Sequence, residues 1–262
     1  MADLALYQYV LIGLIFVWSG FVRSGLGFGG AVLSLPFLLL VVDDPLIFLP
    51  LIAVHLLVFS SLTIWLNNRK QPASESGRET PLATVDWHYL RRILGIMIVP
   101  KLIGVFGLIT LPSDIMTLVI FTIVAVYSVS YILDRPFRSR SRAIDVIFLM
   151  LGGYVSGTSL IGAPLIIAVV AQHLPKEKLR DTLFALWFIL VVIKMAAFLW
   201  VGVDLQLIHH LWLLPCAAIG HVIGLKAHDR ILQAETPIFF RILGFVLLSV
   251  SGIGLFQVIA GG

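Results

Sequence analysis

Little in this chain is charged. Lys, Arg, Asp and Glu make up 12% of its 262 residues, against about a quarter in a soluble domain. There is one cysteine, Cys216, inside an apolar run. That excludes an internal disulfide and a cysteine-built metal site. The first residues, "MADLALYQYV", carry no lysine or arginine, so a cleaved signal peptide is not expected. No polar segment is long enough to form a soluble domain. No carboxylate lies centrally in any full apolar span, so a carboxylate proton relay is not expected. The net charge of +4 does not suggest nucleic acid.

What the chain has instead is hydrophobicity: 60% of its residues and a mean hydropathy of +1.05. Apolar runs of bilayer length recur from end to end, the mark of an all-α polytopic membrane protein. Full spans are expected at 47–66, 93–109, 115–133, 182–201, 207–225 and 238–260. Two further apolar stretches, 4–42 and 144–172, are broken by glycines. A polar, Ser- and Pro-containing loop covers 67–92.

Lysines and arginines concentrate in four connectors: Arg69 to Arg92, Arg135 to Arg142, Lys176 to Arg180, and Lys226 with Arg230. These are expected to be cytoplasmic. The connectors "DDP", "TLPSD" and "VGVDLQ" have neither residue and should face outward. The stretch 144–172 then begins and ends on the same side. Its two arms hold roughly 13 residues each, about 20 Å at 1.5 Å per residue, short of a hydrocarbon core about 30 Å thick. A re-entrant helical hairpin is expected, with its tip around 157–162. By the same parity 4–42 leaves from and returns to the outside, as a hairpin or as two crossings. Both termini are then outside.

The two halves, 1–133 and 144–262, read alike: a glycine-broken hairpin, then three spans. "GLGFGGAVLSLP" ends at Pro36 and "GTSLIGAP" at Pro164. "VDWHYLRRILGIMIVPKLIGVFG" aligns with "VDLQLIHHLWLLPCAAIGHVIG", pairing Asp86 with Asp204, Pro100 with Pro215 and Gly104 with Gly220. An odd number of passes per half inverts the second half, the layout of many secondary transporters.

Gly25, Gly27 and Gly30 fit G-x-G-x-x-G. The dinucleotide turn of that pattern needs a strand before it, a βαβ unit around it and an acid about 20 residues on. None is present. The physical logic of the glycines still applies. Residues lacking Cβ let the chain turn sharply, and the helix that follows starts with unpaired N–H groups and a partial positive charge. Such ends hold anions. Broken backbone at membrane depth is tolerated where it lines a cavity or is buried in protein. Glycine also serves plain helix packing in membranes; its recurrence before a proline in both halves favours a site.

At these residues, and at "LRDTLFALWF" after the second hairpin, the chain resembles the TauE/SafE sulfite exporter family over essentially its whole length. The resemblance implies carriage of small sulfur-containing anions such as sulfite, thiosulfate or sulfonates, often outward, in a plasma (bacterial inner) membrane. By position, Gly25, Gly27, Gly29, Gly30 and Pro36 fill the first motif, with Phe28 among them. Gly157, Gly162 and Pro164 fill the second, where Thr158 and Ser159 stand in place of glycines.

Ionisable residues inside membrane spans are functional candidates. Lys101 is central in its span, and Lys194 lies in the second half of its own. Either supplies positive charge to an anion cavity or snorkels to the interface. Arg23 either meets the anion or lines the vestibule. Thr158 and Ser159 are candidate oxyanion donors, although membrane hydroxyls often bond their own backbone. His55 and His221 are candidates for a coupling proton, the alternative being neutral histidines satisfied by backbone carbonyls. His173, His209 and His210 fall near membrane boundaries and do not form a metal site.

The expected function is a secondary carrier in which a small anion sits between two hairpin tips. An anion channel using the same tips as a filter is the alternative. No nucleophile–base or metal constellation suggests an enzyme, and no cofactor is expected. The expected partners are the anion, the bilayer and a coupling proton or Na+; a homo-oligomer is left open.

Overall fold

A computed structural model describes residues 4–26, 30–70, 85–135, 137–139, 141–233 and 237–261. Gly27, Phe28 and Gly29 of the first glycine motif lie outside the described residues, as does 71–84 of the polar loop. Among the described residues the chain forms ten helices and no strand. They are α1 (Leu6–Leu26), α2 (Leu35–Val41), α3 (Pro45–Lys70), α4 (Trp87–Thr110), α5 (Ser113–Ile132), α6 (Arg142–Ser159), α7 (Ala163–His173), α8 (Lys176–Val201), α9 (Leu207–Gln233) and α10 (Pro237–Gly261).

Seven of these, α1, α3, α4, α5, α8, α9 and α10, are long and apolar enough to cross a membrane. Several run past the apolar segments that mark them in the sequence. Hydropathy reports the length in hydrocarbon, whereas helical hydrogen bonding continues into the polar flanks. Thus α4 begins at Trp87, where Asp86 caps it by accepting from the Tyr89 N–H at 2.9 Å. Large apolar side chains such as Phe106, Trp200 and Phe256 remain exposed on the outer surface, as expected of a face solvated by lipid.

The two broken stretches each pair a long arm with a short one. In the first, α1 has 21 residues and α2 only 7. Side-chain rungs tie the returning segment to α1: Ser19 Oγ donates to the Gly30 carbonyl at 3.3 Å, Trp18 Nε1 to the Leu33 carbonyl at 3.1 Å, and Gln8 Nε2 to the Val41 carbonyl at 3.1 Å. The end of α2 therefore lies beside the start of α1. In the second, α6 has 18 residues and α7 has 11. Leu160 stops α6 in the left-handed region, at φ 61°, which costs a non-glycine residue about 1–2 kcal/mol. Pro164 in the first turn of α7 has no N–H to lose there.

Packing follows a fixed scheme. α1 lies along α9, α4 along α6, α5 along α10 and α3 along α8. Exchanging α1–α5 for α6–α10 in order leaves this set of pairings unchanged. Glycines let the closest two pairs touch backbone to backbone. A Cβ on Gly20 would strike the Ala217 carbonyl, and one on Gly220 the Val17 carbonyl. On the other side, a Cβ on Gly157 would strike the Lys101 carbonyl, and one on Gly104 the Tyr154 carbonyl. The two crossings share one register: 17, 20 and 21 correspond to 154, 157 and 158, and 101, 104 and 105 to 217, 220 and 221. Gly104 matches Gly220 in it; Pro100 and Pro215 fall one residue out of step, and Asp86 and Asp204 two.

Candidate functional site

The two hairpins meet at one cavity. The first contributes Arg23 and residues 30–32; the second contributes Ser156, Leu160 and Ala163. The walls are completed by Leu56 of α3 and by Phe184, Trp187, Leu190 and Val191 of α8. Its volume is about 40 Å3. One water needs about 10–15 Å3 on this measure, so the space suits a few waters or one small oxyanion.

Arg23 supplies the charge. It is 5% exposed and ends α1, where a cation is favoured by the helix dipole. Its Nη1 donates to the His55 carbonyl at 3.2 Å, and its guanidinium lies 5.6 Å from the Phe59 ring centroid. Gly30 makes room for it: a Cβ there would sit 3.2 Å from Arg23 Nε. A guanidinium offers five donors in a planar fork that suits oxyanions.

Ser156 is the polar member of the second hairpin at this cavity. Lys101 stands behind it, fully buried, with Nζ 2.9 Å from the Ser156 carbonyl and 3.0 Å from its Oγ. An ammonium can only donate, so it orients the serine hydroxyl with its proton directed elsewhere. The buried charges are unbalanced. Among the described residues the buried cations are Arg23, Lys101 and Lys194, and the buried carboxylate is Asp181 alone. A bound anion would offset the cost of keeping these buried groups charged.

The family model for "Sulfite exporter TauE/SafE" matches residues 11–255. The chain belongs to that family. No curated protein and no solved structure matches it. This TauE/SafE protein is therefore an integral membrane protein of an anion-exporting transporter family, with seven helices of membrane-spanning length and composition among its described residues.

The residues singled out from the sequence are distributed unevenly about the cavity of this TauE/SafE protein. Arg23 and Gly30 line it, and Lys101 reaches it through Ser156. Gly25 is buried near the end of α1. Gly162 packs on the Gly152 carbonyl, where a side chain would not fit. Pro36 is buried in the first turn of α2. Pro164 lines a different recess, between α7 and residues 130–139. Thr158 and Ser159 are fully buried and both donate to the Val155 carbonyl, at 3.0 and 2.9 Å, so their hydroxyls bond their own helix.

His55, His210 and His221 lie on the α1–α3–α9 side of the cavity, whereas His173 of α7 pairs with Asp145 at 2.9 Å. His55 Nδ1 donates to the Leu51 carbonyl at 2.6 Å. Its ring lies 5.4 Å from that of His210 and 6.4 Å from that of Phe59. His221 Nδ1 shares a short hydrogen bond with Ser24 Oγ, and its ring is 4.9 Å from Phe59. His210 is buried in the first turn of α9. Among the described residues no cluster of His, Cys, Asp or Glu could hold a metal ion.

Sequence reasoning missed Gly20 and Ser156. Gly20 stands ahead of the glycine motif, and its backbone contact with Ala217 bridges residues far apart in the chain. A signal for Ser156 was present: with Gly157, Thr158 and Ser159 it forms a polar run at the end of an apolar helix.

Proposed function

We propose that this protein is a secondary carrier that exports a small sulfur-containing oxyanion, such as sulfite, thiosulfate or a sulfonate, by alternating access. The single observation carrying the reading is that both broken hairpins line one cavity with Arg23 in its wall. In this reading Arg23 binds the anion's oxygens, Ser156 donates its hydroxyl, and Lys101 holds that serine in place. The start of α7 adds its unpaired N–H groups. Apolar walls from α8 exclude water, which strengthens each of these contacts.

The pairing of α1 with α9 and of α4 with α6 supports two inverted repeats, 1–133 and 144–262, that rock about the α3–α8 and α5–α10 contacts. The clustering of lysine and arginine supports a cytoplasmic location for residues 67–92, 134–142 and 174–181, with both termini outside a plasma membrane. His55 and His221, next to Arg23 and Ser24, are the candidates for a coupling proton.

The test is a thermal-shift screen of purified protein against sulfite, sulfate, thiosulfate, sulfoacetate and nitrate. A ligand at 100 times its Kd stabilises the folded state by about 2.7 kcal/mol. Selective stabilisation by sulfur oxyanions is expected, and a flat response across the set overturns the reading. In proteoliposomes, saturable counter-transported flux identifies a carrier, whereas unsaturated conductance identifies a channel.

A further inference from the structure

The mechanism above leaves one buried cation without work. Lys194 is fully buried, and its Nζ has no hydrogen-bond partner among the described residues. Among the described residues it meets the Phe198 ring, with the centroid 5.7 Å away. A cation–π contact recovers part of the hydration a buried ammonium loses, not all of it. Snorkelling does not explain it, because the whole side chain is covered. Asp181 is the buried carboxylate on the same helix, but thirteen residues separate the two, about 20 Å of helix. They do not pair.

Its place on α8 is informative. Phe184, Trp187, Leu190 and Val191 line the hairpin cavity. Lys194 follows Leu190 by four residues and Val191 by three, which puts it on the same face, one turn on. Arg180 precedes Phe184 by four, and its guanidinium lies 5.6 Å from that ring. A single stripe of α8 therefore carries a cation, the cavity wall, and a second cation. α4 packs against α8, which brings Lys101 within electrostatic range of Lys194. Lys101 donates to Ser156; Lys194 donates a hydrogen bond to no described residue.

We propose that Lys194, with Lys101 beside it, forms a second oxyanion station one turn from the hairpin cavity toward the C-terminal end of α8. The anion leaves Arg23 and Ser156 for this station as it moves along the α8 stripe. The ligand is a compact oxyanion, whose charge supplies the counter-ion that Lys194 lacks. This inference rests on the carrier reading and adds a stopping point to it.

Lys194→Met tests it in full-length protein, with sulfite as the probe. Removing an unpartnered buried amine should raise the melting temperature of the unliganded protein. It should also weaken sulfite binding by about tenfold or more, the effect of one lost charge-assisted hydrogen bond, and slow sulfite flux in proteoliposomes. Lys194→Arg should retain most of both. Wild-type affinity and flux in Lys194→Met overturn the station while leaving the carrier reading intact. So does a Lys194→Met chain that fails to fold, since the amine then serves packing. Lys194→Arg as impaired as Lys194→Met also overturns it. If the wild-type protein neither binds nor moves any oxyanion, the carrier reading itself falls.

Discussion

The two hairpins share a frame and differ in charge. In the common register of the two crossings, Ser19 corresponds to Ser156 and Gly20 to Gly157, each glycine set against the backbone of a partner helix. Arg23 then corresponds to Leu160, and Lys101, behind the second hairpin, to Ala217. Each side thus has one buried cation near its break, supplied differently: by the hairpin itself in the first, by the helix packed on it in the second. The connection differs too. Gly25 corresponds to Gly162, yet Pro36 comes eleven residues after its glycine and Pro164 only two. The lesson is that close backbone packing demands equivalence, because a carbonyl facing a glycine tolerates no substitute. The cavity demands only charge of the right sign near the right place.

The largest effects should come from the crossings. Gly20→Leu and Gly157→Leu should each leave no folded protein in detergent extracts, since the new side chain meets backbone that cannot move aside. If one is tolerated and the other is not, the two crossings are not equivalent. Size-exclusion profiles after membrane extraction check this.

Charge comes next. Arg23→Met should raise the sulfite concentration needed for half-maximal thermal stabilisation by about a hundredfold, with two charge-assisted hydrogen bonds lost. Arg23→Lys should fall between it and wild type, because a point charge replaces a fork. Full affinity in Arg23→Met would remove the first hairpin from the site.

The serines sharpen the comparison at smaller scale. Ser156→Ala removes a hydroxyl at the cavity wall and should weaken sulfite binding by about fivefold, near 1 kcal/mol. Ser19→Ala, whose hydroxyl is spent on the Gly30 carbonyl, should weaken it less. Thr158→Val and Ser159→Ala should bind as wild type does, because both hydroxyls serve the Val155 carbonyl. Dose-dependent melting curves rank the four. A larger effect at Thr158 than at Ser156 would reverse the assignment of the donor.

The smallest effects are expected where glycines touch nothing. Gly95 and Gly252 lie in helices at places where a Cβ would meet no described atom within 4 Å beyond its chain neighbours and the backbone of its own helix. Gly95→Ala and Gly252→Ala should each raise stability by up to about 1 kcal/mol, seen as a modest rise in melting temperature with unchanged affinity.

Much of this was legible in advance. Spans of membrane length, the breaks before Pro36 and Pro164, and the candidacy of Arg23 and Lys101 follow from hydropathy, from glycine and proline chemistry, and from the cost of charge in hydrocarbon. These are local properties. Helix ends were less legible, because polar turns such as Trp87 to Arg92 stay helical after the apolar signal stops. Nor did the sequence separate Ser156 from Thr158 and Ser159. Ser156 and Ser159 share a face of the helix and Thr158 lies on another, so spacing alone does not pick the donor; only the contacts show that Thr158 and Ser159 are spent on the Val155 carbonyl.

By itself, the amino-acid order determined that the chain lives in a bilayer, where it breaks and which cations enter, since each depends on a residue and its near neighbours. Only the tertiary structure decided that α1 lies on α9 and α6 on α4, so that the two breaks share a cavity and Lys101 stands behind Ser156. Those contacts join residues dozens to hundreds of positions apart. They depend on shape matching between glycine-lined backbones, which leaves no pattern in either segment alone.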